Sequence, residues 1–144
     1  MKIGIISDHR GYDLKKKILK IKGITFIDYG TNSKETVDYP DYAFKLGKAI
    51  NKKEVDLGIA ICGSGIGMSI ALNKVKGIRC ARVSYIKDVI VTRQDNDANV
   101  IAFSSEINFD RVKRMIEEFI NTPFSKEQRH IKRINKIKEY EQKN

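Results

Sequence analysis

The sequence predicts an α/β fold: an open three-layer sandwich in which a five-stranded parallel, Rossmann-like sheet is covered by helices on both faces. Three observations carry this. Short apolar runs alternate with segments of helical periodicity along the chain, the pattern of strands joined by right-handed crossovers. The run Leu57 to Ile61 is continuously apolar rather than alternating, as a strand buried on both faces should be. The 144 residues, 41% hydrophobic and 32% charged, suit one compact domain rather than a disordered chain.

The elements follow in order. Ile3 to Ile6 reads as the first strand, and residues 12–22 place Leu14, Ile18, Leu19 and Ile21 on one helical face. Thr25 to Ile27 is the second strand, and Tyr42 to Ile50, with Phe44, Leu46 and Ala49, the second helix. Leu57 to Ile61 is followed by a glycine loop, Gly63 to Gly67, and a helix to about residue 74. Ile78 to Val83 is the fourth strand, about 86–94 a helix, and Asn99 to Phe103 the fifth strand. Phe109 to Ile120 turns Val112, Met115, Ile116 and Phe119 inward. Pro123 interrupts, and a charged helix from Ser125 carries Ile131, Ile134 and Ile137. Residues 1–144 therefore read as one domain, a doubly wound core over 1–122 and a helical arm over 123–144. The arm follows a domain that is already complete and is expected to pack on a partner subunit.

Composition narrows the function. No apolar run approaches the roughly 20 residues of a membrane helix, and the apolar stretch after Met1 is too short for a signal peptide; a cytoplasmic protein without membrane contact is expected. Cys62 and Cys80 are not a CxxC pair, and with two histidines they make a poor zinc set, so no metal is expected. The net charge of +10 suits an anionic small molecule. Its lysines are dispersed and no basic patch interleaved with aromatics is present, which argues against nucleic acid.

In doubly wound folds ligands bind at the carboxyl ends of strands, which selects Ser7 to Gly11, Cys62 to Gly67 and whatever follows strands four and five. In Cys62-Gly63-Ser64-Gly65-Ile66-Gly67 a thiol emerges at a strand end, ahead of backbone amides exposed by alternating glycines at the start of a helix. Such amides hold an anion, and the same field favours a basic sulfur; Ser64 adds a hydroxyl. The spacing is neither GxGxxG nor a P-loop, and the arginine of a cysteine-phosphatase loop is absent, since Met68 stands there. Ser7-Asp8-His9-Arg10-Gly11 follows the first strand: Asp8 suits hydroxyls, and His9 and Arg10 suit phosphate oxygens, although Asp8 also reads as a helix cap. Arg129 and Arg133 share a face of the last helix, with His130 between them. Asp95-Asn96-Asp97 reads as turn residues at the opposite edge of the sheet. Cys80, inside the fourth strand, reads as core.

These segments, with Asp38-Tyr39-Pro40-Asp41-Tyr42-Ala43, Ala71-Leu72-Asn73-Lys74-Val75-Lys76-Gly77-Ile78-Arg79 and Asn96-Asp97-Ala98-Asn99-Val100, resemble the ribose-5-phosphate isomerase type B family, which includes galactose-6-phosphate isomerase subunits. The resemblance spans nearly the whole chain. It implies a cofactor-free aldose–ketose isomerase working through an enediolate, as a dimer or tetramer with sites at the subunit interface. By resemblance, Cys62 moves the proton between C1 and C2. Ser64 and the amides of Gly63, Gly65, Ile66 and Gly67 hold the enediolate oxygen, Asp8 and Asn96 bind hydroxyls, and His9, Arg129 and Arg133 grip phosphate.

Two positions depart from the family pattern. Asp95 stands where the family has the histidine credited with ring opening, and Glu106 where it has a phosphate-binding arginine. An ordinary carboxyl, with pKa about 4, is a poorer acid at neutral pH than imidazole at about 6.5. Asp95 is therefore expected either to open the ring or to be dispensable, as for a four-carbon aldose 4-phosphate that cannot cyclise. Tetrose 4-phosphates, hexose 6-phosphates and a non-catalytic binding subunit remain open as alternatives.

Overall fold

The computed structural model describes all 144 residues. Five strands, β1 (Lys2–Ser7), β2 (Thr25–Asp28), β3 (Leu57–Cys62), β4 (Cys80–Arg82) and β5 (Val100–Ser104), alternate with α1 (Tyr12–Leu19), α2 (Tyr39–Asn51), α3 (Ile66–Leu72), α4 (Ile86–Asn96) and α5 (Phe109–Asn121). A sixth helix, α6 (Gln128–Lys143), ends the chain. The strands are all parallel, in the order β2-β1-β3-β5-β4. The expected five-stranded parallel sheet is thus what forms.

The two faces of the sheet differ in the size of their side chains. Toward α1 and α5 the strands present Ile3, Ile5, Ile59, Ile61, Ile101 and Phe103, packed on Leu14, Ile18, Val112, Met115 and Phe119. Toward α2 and α3 they present Ile6, Ala60, Cys62 and Ala102, packed on Ala43, Leu46, Met68 and Leu72. Gly4 and Gly58 also lie on this second face: a Cβ there would stand 2.7 and 2.9 Å from Leu46, closer than real contacts. The small residues let α2 sit close to the sheet, and Cys62 lies on this tightly covered side.

Several boundaries differ from expectation. α1 ends at Leu19 rather than 22, where Lys20 and Ile21 turn back onto the carbonyls of Lys17 and Ile18. α2 starts three residues early, with Pro40 in its first turn. α3 stops at Leu72, not 74. β4 is an edge strand of only three residues; before it, the Arg79 amide donates to the Asn99 side chain (2.8 Å) instead of to a strand. α4 runs to Asn96 and is closed by Asp97 at φ 46°. Asp95 and Asn96 are therefore helical, a correction to their reading as turn residues. α6 begins at Gln128 and rests on α4 of its own chain through its first half, where His130 and Ile134 are buried.

Candidate functional site

The strand order reverses between β1 and β3, so the loops leaving these neighbouring strands diverge and open a crevice at their carboxyl ends. The Asp8 amide donates to the Ile61 carbonyl (3.1 Å), stitching the two loops together at their roots. A Cβ on Gly11 would lie 2.7 Å from the Ile61 side chain, so only glycine lets the first loop lie this close.

Cys62 is the last residue of β3 and buried. The Gly65 amide donates to its sulfur (3.1 Å), an arrangement that stabilises negative charge on that atom. Gly65 has φ 76°, and a Cβ there would strike the Phe103 backbone at 2.7 Å; glycine is required for the turn that aims this N–H at the thiol. The exposed Ser64 hydroxyl accepts from the Ile66 amide (3.1 Å), and the loop's backbone is braced by Arg82 Nε to the Ser64 carbonyl (3.1 Å) and Ser104 Oγ to the Gly63 carbonyl (2.7 Å). The ring of Tyr39 lies over Gly67, where a Cβ would meet it at 2.6 Å.

Across the crevice, the buried Asp8 carboxylate accepts from the Gly11 amide (3.0 Å). It ties the loop ahead of α1, while the N-cap position itself is Gly11. His9 Nδ1 accepts from the Val37 amide (3.3 Å), which places the neutral ring's proton on Nε2, the nitrogen left to donate to a ligand. The Arg10 side chain lies against Gly63, within 2.6 Å of where a Cβ would stand. Glu106 shares a surface cavity with Arg10 and Lys17, cations that offset its charge. Asp8, His9, Arg10, Cys62 and the amides of Gly63 to Gly67 are thus gathered at one place. The arrangement offers a sulfur base, an oxyanion cradle and polar groups suited to hydroxyls and phosphate.

The other predicted site residues lie elsewhere on the chain. Asp95 and Asn96 occupy the last turn of α4, just before β5 begins, whereas Cys62 pairs with Ser104 at the far end of β5. Four steps of strand, roughly 13 Å, separate the two levels. There a cavity of about 480 Å³ is lined by Asp95, Asn96, His130 and Arg133, with Arg79 at its edge. Asn96 Oδ1 accepts from Thr92 Oγ1 (3.2 Å), and Arg79 Nε donates to the Asn96 carbonyl (3.0 Å). Arg129 is exposed and pairs with Glu127 (2.9 Å). On a single chain these two groups of residues therefore lie at opposite ends of the sheet.

Cys80 lies near the second cavity. Desolvation pushes its thiol well above the ordinary cysteine range, which keeps it protonated and unreactive. The supporting roles of Ser104 and Tyr39 carry no signal in the sequence beyond position, since a serine at a strand end and a tyrosine before proline are ordinary. His130 did carry one, as the residue between the paired arginines.

A Ribose/Galactose Isomerase family profile matches residues 3–137. The chain is 42% identical to a putative sugar phosphate isomerase, YwlF, of Bacillus subtilis, over 100% of this chain and 99% of that protein. It is 39% identical to ribose-5-phosphate isomerase B of Escherichia coli, over 99% and 97%. Among solved structures, ribose-5-phosphate isomerase B of Clostridium thermocellum superposes with a TM-score of 0.94 at 43% identity, covering 99% of both chains. The Mycoplasma genitalium enzyme with bound ribulose-5-phosphate superposes at 0.91 with 38% identity, over 99% and 97%.

Proposed function

The chain belongs to the ribose/galactose isomerase family, and from that premise we propose that it is an aldose–ketose isomerase, an intramolecular oxidoreductase, that interconverts ribose 5-phosphate and ribulose 5-phosphate with Cys62 as its base. The observation that carries the assignment of the base is the Gly65 amide donating to Cys62 Sγ (3.1 Å) within the glycine loop. Cys62 takes the C2 proton of the open-chain aldose and returns it at C1. The oxygen that becomes anionic in the enediolate is held by Ser64 and by the amides of Gly63 and Gly67, since the amides of Gly65 and Ile66 already donate to Cys62 Sγ and Ser64 Oγ. Asp8 orients hydroxyls and His9 Nε2 reaches toward phosphate. No cofactor or metal takes part.

The remaining contacts come from a second copy of the chain, in a homodimer or a homotetramer built from such dimers. Asn96 then binds a hydroxyl, Arg129 and Arg133 complete the phosphate grip, and Asp95 serves ring opening. Ile66 and Ile70, exposed on α3 beside the Cys62 loop, supply an apolar surface for that copy to cover. The whole of residues 1–144 acts as one isomerase domain, with residues 123–144 as the arm through which copies meet. No helix is long and apolar enough to cross a membrane, and two free thiols suit a reducing compartment such as the cytoplasm; nucleic acid is not a partner.

The test is conversion of ribose 5-phosphate with EDTA present. Turnover that vanishes in Cys62→Ala is expected; turnover surviving in Cys62→Ala refutes this base. The galactose branch named in the family description favours one second reading, a hexose 6-phosphate substrate, and Asp95 favours another, a non-cyclising tetrose 4-phosphate. Either gains if ribose 5-phosphate is not turned over.

A further inference from the structure

Furanose opening needs proton traffic separate from the C2-to-C1 transfer assigned to Cys62. The closed sugar is a hemiacetal at C1. Before C2 can be deprotonated, the O1–H proton must leave, the C1–O4 bond must break and O4 must gain a proton. In the second cavity, His130 Nε2 lies 3.3 Å from Asp95 Oδ1. The His130 side chain is 8% exposed and that of Asp95 42%. Both residues line the cavity, and the carboxylate is the more exposed of the two. Glu127 Oε2 approaches the same nitrogen at 3.7 Å, but Glu127 is itself held by Arg129.

We infer that Asp95 and His130 act as one proton-handling pair for ring opening, with Asp95 as the group that touches the sugar and His130 as the positioning residue behind it. This rests on the isomerase reading above. Asp95 Oδ2 takes the proton from O1, the O1–H electrons become the second bond of the C1 carbonyl, and the C1–O4 electrons pass to O4. The carboxyl then returns a proton to O4. The net change is one proton moved from O1 to O4, and the pair is restored. A lone carboxyl holds a proton poorly near neutral pH, whereas imidazole titrates close to it. Facing Oδ1, His130 shares the proton and fixes the carboxyl's orientation. Arg79 and Arg133 line the same cavity.

The two directions of the reaction separate this role from any other. Ribulose 5-phosphate has its 5-hydroxyl blocked and stays open-chain, so exchange of its C1 hydrogen with deuterated solvent requires the enediolate but no ring opening. Both rates are measured on the intact wild-type protein, Asp95→Asn and His130→Asn. Conversion of ribose 5-phosphate should fall about 100-fold in Asp95→Asn and about tenfold in His130→Asn, while C1 exchange falls less than about threefold in each. Asp95 is half-exposed, so its variant retains the fold if His130→Asn does not. Equal loss of conversion and exchange, or no loss of either, overturns the pair. A wild type that neither converts ribose 5-phosphate nor exchanges the C1 hydrogen overturns the isomerase reading itself, and the pair with it.

Discussion

The crevice at the carboxyl ends of β1 and β3 and the cavity between α4 and α6 are built from different materials. The first is backbone: amides of a glycine loop, held by Ser104 and Arg82 and aimed at a buried sulfur. The second is side chain: Asp95 and Asn96 on α4, His130 and Arg133 on α6. A reacting centre that must stabilise developing charge is best served by dipoles that do not move. A phosphate grip tolerates flexible arginines, because its ligand carries charge throughout the reaction.

The largest effect is expected where the backbone cradle meets the chemistry. Cys62→Ser should lower kcat by 10² to 10⁴, roughly the range of a lost acid–base group, in a steady-state assay with little change in melting temperature. Gly65→Ala comes next. Its Cβ meets the Phe103 backbone and its φ is 76°, so about 1–3 kcal/mol of stability should be lost in chemical denaturation, together with activity. Gly67→Ala is the milder control, because the Tyr39 ring it strikes is partly exposed and can swing away.

Smaller effects belong to the second half-site. Arg133→Ala should raise KM for the sugar phosphate about tenfold while kcat changes little, as loss of one charge-assisted contact implies; a fall confined to kcat would sharpen the comparison by moving Arg133 from grip to chemistry. Smallest is Asp97→Asn. It keeps a residue that tolerates φ 46° but uncharges the partner of Arg93 (3.0 Å) and Arg79 (3.5 Å). About 0.5–1 kcal/mol should be lost on urea titration, the upper part of the range for surface pairs, because both arginines are largely covered.

The same contrast governs how much could be read in the sequence. β3 was legible because a strand buried on both faces must be apolar throughout, and all six of its residues are buried. The Cys62 loop was legible because its function is carried by consecutive residues. The reach of α4 was not. Asp95, Asn96 and Asp97 are favoured in turns, and only the left-handed Asp97 shows that the helix continues up to it. The placement of Asp95 beside His130 brings together residues 35 positions apart, through the seating of α6 on α4 that no local pattern encodes. The arginines' role, likewise, was assigned by resemblance, since on one chain they face the wrong end of the sheet.

That separation makes the account's central claim, one active site assembled from two copies of the chain, open to a direct trial. Cys62→Ala, expected to be inactive, and Arg133→Ala, expected to keep about a tenth of wild-type activity at low substrate, would be co-expressed and the mixed assemblies assayed. In a two-fold dimer each mixed pair regains one intact site, so random pairing should restore about a quarter of wild-type activity. Activity no greater than the average of the two parent variants would contradict the shared site and confine catalysis to the β1–β3 crevice of a single chain.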